Sequence, residues 1–484
     1  MTGLARHRTL IAVGVFVVIA AIYPLVFNNS YTLGVGISAG AMAAGTVGFV
    51  LLIGYAHQLA VGQAAFCMIG GYANAILCSR YHVDPFVALI AGSVLSMVFA
   101  YIIAAPMLRL RGFVLAMGSL AFQLMLIVLA LESTFTGGAL GVYGIPKFAI
   151  FGFTLPNDTV FFYVIWATTL AVIAIGLNID RSRIGRALKA IASSEMAAGS
   201  VGIDITTYKV QMFVISAGMA SLTGSFAVHY LRAMDPNVFG FLYSLNLIIA
   251  VIVGGLLSIW GGALGAAIVT GLRELLRDLS LPLWEAVIMG AITVIVLLAF
   301  RRGFAGLIGD LFQRFTGTRA ETHIESVRPE PAALRPLPEW TEAGVPILEV
   351  DGATCAFGSL IAVNNVSFTA NAGEITALIG PNGAGKTTLF NLIGGYQALD
   401  DGKVSFVGER IEKLMPNKIA LHGIGRTFQN LQLFDTLTVA ENVMCGRHRL
   451  TRTGILGISA RLPCRLRYQH LPLVVNFAWY SEQS

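Results

Sequence analysis

Charge is what this sequence has least of. Only 12% of its 484 residues are Asp, Glu, Lys or Arg, where soluble domains carry about 25%, and the mean hydropathy is +0.75. That balance excludes an ordinary soluble chain and points to a membrane protein. Cysteine is also scarce: Cys67, Cys78, Cys355, Cys445 and Cys464 form no CxxC pair and show no metal-ligand spacing. A disulfide framework or zinc site is therefore not expected, and the five read as packing residues or free thiols. No series of acids interrupts the apolar stretches, which argues against a carrier driven by a proton or sodium relay. The pI near 9.1 would suit a nucleic-acid binder, but the surplus is in the wrong place for one. Residues 1–302 hold 16 Lys or Arg against 10 Asp or Glu, while 303–484 hold 16 of each. Basic residues between spanning helices follow the positive-inside rule, so no nucleic-acid partner is expected.

What is abundant is apolar sequence in helix-length runs. The first, Thr9 to Phe27, follows Arg6, His7 and Arg8 and is long enough to span, so it reads as an uncleaved helix. Further spans are expected near 33–55, 58–78, 85–106, 112–132, 159–178, 209–231, 241–259, 262–276 and 282–300, about ten in all. The pair 241–259 and 262–276 could also be one broken helix and a neighbour. With the N-terminus inside, parity puts Arg109, Arg111, Arg181, Arg183, Arg186, Lys189, Arg301 and Arg302 on the cytoplasmic side. The glycine-rich loop 133–158 then lies outside. The 53 glycines cluster within the spans, where small residues let helices approach closely. Polar residues at membrane depth are mostly neutral: Gln63, Asn74, Gln123, Gln211 and Asn246, with His229 and Glu285 nearer span ends. Hydrogen bonding between helices is their expected role, a functional one the alternative.

The cytoplasmic stretch Asp180 to Tyr208 carries Ile184, Ala187, Leu188 and Ile191 at i, i+3, i+4 and i+7, with Arg183, Arg186 and Lys189 on the other side. Asp180 or Ser182 can cap this amphipathic helix, which could lie on the bilayer or dock on a partner. Beyond Arg302, residues 303–346 read as a proline-rich cytoplasmic linker. From Ile347 the texture is that of a soluble α/β domain. Strands are expected at Ile347–Val350, Val366–Phe368, Ile375–Ile379 and Val404–Phe406, and a helix at Leu437–Val443.

The sharpest motif is Gly380-Pro381-Asn382-Gly383-Ala384-Gly385-Lys386-Thr387-Thr388. Its spacing is that of a P-loop, between an apolar run and a helical pattern. Glycines let backbone N–H groups turn toward phosphates, Lys386 supplies a point charge, and the Thr387 hydroxyl suits Mg²⁺. The following helix adds its positive end.

Two resemblances meet in this chain. Residues 347 to about 463 resemble the ATPase subunit of an ABC transporter, through the P-loop style at Pro381 to Thr388 and through Arg426-Thr427-Phe428-Gln429, which matches its Q-loop. Residues 33–277 resemble the permease subunits of branched-chain amino-acid ABC importers. The matching stretches are Gly54 to Phe66, Leu108 to Gly112, Gly185 to Ile191, and Val253-Gly254-Gly255 with Trp260-Gly261. Urea and amide importers share this permease type. The implied fold is a polytopic all-α transmembrane domain of about ten helices (1–302), followed by an incomplete α/β P-loop ATPase domain (347–463).

The resemblance implies ATP and Mg²⁺ as cofactors, with Thr387 and Gln429 at the metal and Gln429 sensing the nucleotide. It places Phe357 where ABC ATPases stack an aromatic on adenine; a core role is the alternative. It makes the basic loop, with Arg183, Arg186, Lys189 and Glu195, the coupling element docked on the ATPase. It implies ATP-driven import of small amino acids across the cell inner membrane, with the N-terminus and ATPase cytoplasmic. The implied partners are an external binding protein, a second permease and a complete second ATPase. The family's signature motif, acidic strand end, catalytic glutamate and switch histidine have no counterpart here, so no catalytic residue is assigned. Residues 464–484 match no element of the family, and a truncated remnant with a shifted reading frame near codon 464 is the rival expectation.

Overall fold

The computed structural model describes residues 2–27, 29–108, 110, 112–279, 284–299, 303–307, 344–428 and 432–448, with short strand segments at 451–452, 465–466 and 475–477. Arg109, Arg111, Arg301, Arg302, Gln429, Cys464 and most of the expected linker and tail lie outside them. The chain divides into two compact units: one holds Met1–Arg181 and Thr206–Arg319, the other Ser182–Ile205 and Ala320–Ser484.

The first unit is helical. Its elements are α1 (Thr2–Val26), α2 (Ser30–Val50), α3 (Ala64–Arg80), α4 (Pro85–Met107), α5 (Phe113–Glu132), α6 (Asp158–Asp180), α9 (Ile205–Leu231), α10 (Phe241–Gly254), α11 (Ile259–Asp278) and α12 (Glu285–Ala299). Each of the ten expected apolar runs contains one of these helices. Seven are long and apolar enough to cross a bilayer, while the stretches at Val13–Val26, Phe241–Gly254 and Val287–Leu298 are shorter. Boundaries differ where the backbone breaks. The span expected to start at 58 opens with a 3₁₀ turn at Val61–Gln63 and is α-helical from Ala64, because α2 widens into a π-helical turn at Leu51–Tyr55 and the chain turns through residues 56–60. The run 241–276 is two helices, separated at Gly255, whose φ of 118° is open to glycine and strained for other residues.

Helix α2 is the hub, buried along most of its length against α6, α10 and α11. Its glycines leave room for neighbours and expose carbonyls to them. Trp166 Nε1 donates to Gly36 O at 3.1 Å, Thr169 Oγ1 to Gly40 O at 2.9 Å, and Thr46 Oγ1 to Gly262 O at 2.9 Å. In a medium without water such bonds satisfy groups that would otherwise be left orphaned. Three of the five amides bond between elements as expected: Gln63 Nε2 donates to Ser216 Oγ (2.7 Å), Asn74 Nδ2 to Ser225 Oγ (2.8 Å), and Gln123 Nε2 to Phe239 O (3.0 Å). His229 lies between Asn74 Oδ1 and Pro146 O, 3.0 Å from each, and Glu285 pairs with Arg273 at 2.7 Å. The loop 133–158 is built of small pieces: β1 (Val142–Tyr143) pairs antiparallel with β4 (Ala233–Met234), and β2 (Ala149–Ile150) with β3 (Phe153–Thr154).

In the second unit, β5 (Pro346–Phe357), β6 (Leu360–Asn371), β7 (Asp401–Phe406) and β8 (Glu409–Arg410) form an antiparallel sheet in the order β6-β5-β7-β8. Leu348, Val350, Cys355, Val363, Val404 and Phe406 make its core with Leu389, Leu392 and Ile393 of α13 (Lys386–Ile393). Then come α14 (Pro416–His422), β9 (Ile424–Arg426) and α15 (Val439–Gly446), and Val475–Phe477 pairs parallel with β9. Thr438 and Glu441 form a capping box that starts α15 two residues later than the sequence pattern suggests.

One expected element is corrected. Ile375–Ile379 is not a buried strand: Ile375 is 99% and Ile379 91% exposed, and the segment joins no sheet among the described residues. A parallel strand needs a neighbour on at least one edge to satisfy its backbone and cover its side chains. The antiparallel sheet offers none.

Candidate functional site

The P-loop starts from that exposed segment and closes on α13. Gly385, the residue before the helix, has φ 84° and Gly383 φ 89°, left-handed conformations that L side chains resist. At Gly383 a Cβ would point into open space, whereas at Gly385 it would run into the carbonyl of Ala362 on β6. Glycine is thus demanded at Gly385 by both conformation and space. Lys386, Thr387 and Thr388 are the first three residues of α13, so their N–H groups have no carbonyl four residues back within the helix. The Ala384 N–H is turned back to Pro381 O at 3.2 Å.

Lys386 closes the loop on itself. Its ammonium donates to Gly380 O at 2.6 Å and Pro381 O at 2.7 Å, and Gly380 to Ala384 are exposed around it. A cation that among the described residues bonds to two neutral carbonyls, a helix start whose first N–H groups have no intrahelical partner, and a glycine cradle form a donor set suited to a polyphosphate. Thr387 is exposed beside them, with Thr388 half-buried. Phe357 ends β5, 50% exposed, and pairs with Leu360, two residues before the Ala362 that backs Gly385. Phe357 thus belongs to the hairpin whose second strand backs Gly385.

The same unit contains the basic loop. Helix α7 (Arg183–Ser193) is capped by Ser182, whose Oγ accepts from Ile184 N (3.0 Å) and Gly185 N (3.3 Å), so Ser182 rather than Asp180 starts it. Ile184, Ala187, Leu188 and Ile191 are buried as their spacing predicts, and α7 packs on α15. Helix α8 (Glu195–Ser200), capped by Ser194, packs on α14, with Gly199 close to Pro416. Docking thus prevails over lying on a bilayer.

Arg183, Arg186 and Lys189 are half-buried rather than solvent-facing. Arg183 Nε donates to His448 Nδ1 at 3.4 Å. Burial, with Arg183 and Arg186 alongside, pushes the His448 pKa down to about 3. Burial alone would raise the Glu441 carboxyl, but the Thr438 backbone and hydroxyl, with Lys189 and Arg186, outweigh it and hold it below its ordinary value. Glu195 is exposed in the first turn of α8.

Three residues join the loop to the P-loop helix: Arg426, which belongs to the Q-loop match, and Tyr396 and Asn391, which motif reading did not single out. Tyr396 Oη donates to Met196 O in α8 at 3.0 Å, and Arg426 Nη1 donates to Asn391 Oδ1 in α13 at 2.7 Å. The Arg426 guanidinium lies 5.2 Å from the Tyr396 ring centre and 5.1 Å from that of Phe428. Only Arg426, within the Q-loop pattern, carried a signal in the sequence.

A loop from the midst of apolar helices thus packs within the unit that holds the P-loop, so one chain carries both a membrane-type helical part and a phosphate-cradle part. The profile of the branched-chain amino acid transport system permease component matches residues 31–297, and that of the ABC transporter family matches 363–474. The chain belongs to the branched-chain amino acid transport permease family, fused to an ABC transporter domain. Over 137 residues it is 39% identical to the high-affinity branched-chain amino acid transport ATP-binding protein BraF of Pseudomonas aeruginosa, covering 28% of this chain and 54% of that one. Over 276 residues it is 28% identical to the permease protein LivM of Salmonella typhimurium, covering 52% and 64%. A solved ATP-binding cassette of an ABC transporter, in its ADP conformation, is 40% identical over 18% of this chain and 35% of that one, with a TM-score of 0.18. The chain spans about half the length of the ATP-binding relatives it matches.

Proposed function

We propose that this chain is the permease and nucleotide-binding half of an ABC importer for branched-chain or other small amino acids. The carrying observation is the seating of α7 and α8 on α15 and α14, which joins the permease's own loop to the unit that holds the P-loop. In this reading Gly380 to Thr388 hold ATP. The N–H groups at the start of α13 face its phosphates, Lys386 leaves its loop carbonyls for them, and Phe357 stacks on the base. Thr387 and Gln429 hold Mg²⁺. Bound ATP supplies the free energy that drives alternating access.

Arg183, Arg186, Lys189 and Glu195 carry the conformational change to the permease, which lies in the cell inner membrane with the nucleotide domain cytoplasmic. An external binding protein, a second permease and a complete second ATPase make up the assembly. The test is uptake of radiolabelled leucine by the source cells carrying Lys386→Ala in place of the wild-type gene. A fall of at least tenfold is expected, and unchanged uptake would show that the P-loop does not drive transport.

A further inference from the structure

Between the docked loop and the P-loop helix runs a continuous polar and aromatic connection within one unit. It begins at Met196 O in α8, which accepts from Tyr396 Oη at 3.0 Å. The Tyr396 ring lies under the Arg426 guanidinium at 5.2 Å, and Phe428 brackets the same cation at 5.1 Å, the two rings being 6.1 Å apart at 74°. The Arg426 fork then reaches Asn391 Oδ1 at 2.7 Å. Asn391 stands on α13, the helix that opens with Lys386 and Thr387, and its own carbonyl accepts from Tyr396 N at 2.8 Å and Gln397 N at 3.2 Å. Asn391 is thus tied to both Tyr396 and Arg426.

Three physical features make this a candidate for transmission. Arg426 and Tyr396 are partly buried, so displacing the cation from its two rings and its amide exposes a charge to a poor environment with no equal partner. The guanidinium holds two kinds of contact at once, its charge against the two rings and an N–H on Asn391, so a shift of α13 is passed to the rings. The last bond goes to a backbone carbonyl of α8, which follows the helix as a whole rather than one side chain.

We infer that Tyr396, Arg426 and Asn391 form a positioning relay that couples the phosphate-binding end of α13 to the docking helix α8. The inference rests on the reading of Gly380 to Thr388 as a nucleotide site and adds a route that bypasses Gln429. None of the three touches phosphate; each acts by fixing where another element sits. Coupling of this kind is a difference in free energy between two sites and is measured as such.

The experiment uses the full chain in lipid nanodiscs. Affinity for a fluorescent trinitrophenyl-ATP probe is measured first, then trypsin cleavage at Arg183, Arg186 and Lys189 with and without Mg-ATP. In the wild type, Mg-ATP is expected to change the cleavage rate at these sites at least threefold. Tyr396→Phe removes one hydroxyl and keeps the ring; it should bind the probe within twofold of wild type and bring the ratio of rates to about one. Arg426→Gln, which can still reach Asn391 but leaves no cation on the rings, should do the same.

A purely structural role would shift both rates equally and leave the ratio intact, and that result in both variants would overturn the relay. A wild-type ratio of one would overturn it as well. Failure of the wild-type chain to bind the probe would instead remove the nucleotide reading on which the relay stands.

Discussion

At Gly385 two constraints meet on one residue. Its φ of 84° costs an L side chain about 1–2 kcal/mol, and the Ala362 carbonyl fills the place a Cβ would take. Gly385→Ala should therefore weaken binding of the trinitrophenyl-ATP probe at least tenfold and destabilise the nucleotide unit by about 1–3 kcal/mol. A fluorescence titration and a urea melt check both, and wild-type affinity in the variant would contradict the cradle. The spacing of glycine, lysine and threonine already marked this site, because a P-loop is local: nine consecutive residues set its geometry. Tyr396 and Asn391 were illegible for the opposite reason. Neither has a distinctive spacing, and each acquires its role from residues 35 to 200 positions away.

At the scale of elements, the docking of α7 on α15 depends on a neutral histidine. His448 Nδ1 accepts from Arg183 and so carries no proton there, and Arg186 adds a second positive charge beside it. Its pKa is about 3 in the folded chain against an ordinary 6.5. Below 6.5 the unfolded state takes up a proton that the folded state refuses, so stability falls as pH drops from about 6.5 toward 3 and is flat above. Hydrogen exchange of the α7 amides, corrected for its intrinsic pH dependence, should lose protection over that window. His448→Gln, whose amide oxygen can accept from Arg183, should flatten the dependence; a variant profile identical to wild type would assign it to other groups such as Glu441. The amphipathic period of α7 was plain in the sequence, but periodicity says only that one face wants covering. Bilayer and partner satisfy it equally, and α15 decided between them.

At the scale of the whole molecule, the helices and the nucleotide unit were legible to different degrees. Helix-length apolar runs mark the ten long helices described in the first unit, since lipid admits few other ways to satisfy a backbone. The sheet was less legible. Ile375 to Ile379 has a strand's composition, yet a strand is a pairing, and no partner lies beside it among the described residues. The nucleotide site itself is carried by this chain, so Lys386→Ala should weaken binding of trinitrophenyl-ATP to the purified chain at least tenfold in a fluorescence titration. Unchanged affinity in the variant would mean that the nucleotide is held elsewhere.

The sequence by itself determined whatever depends on near neighbours or on solvent. Membrane residence follows from sparse charge, helices from apolar run length, the phosphate cradle from glycine spacing, and the family from motifs that survive as contiguous strings. Only the tertiary structure decided which surface covers α7, whether Ile375 to Ile379 is paired, and that Arg426 stands between Tyr396 and Asn391. Those outcomes depend on elements distant in sequence meeting in space, and a side chain's role there is set by the partner it meets rather than by its own pattern.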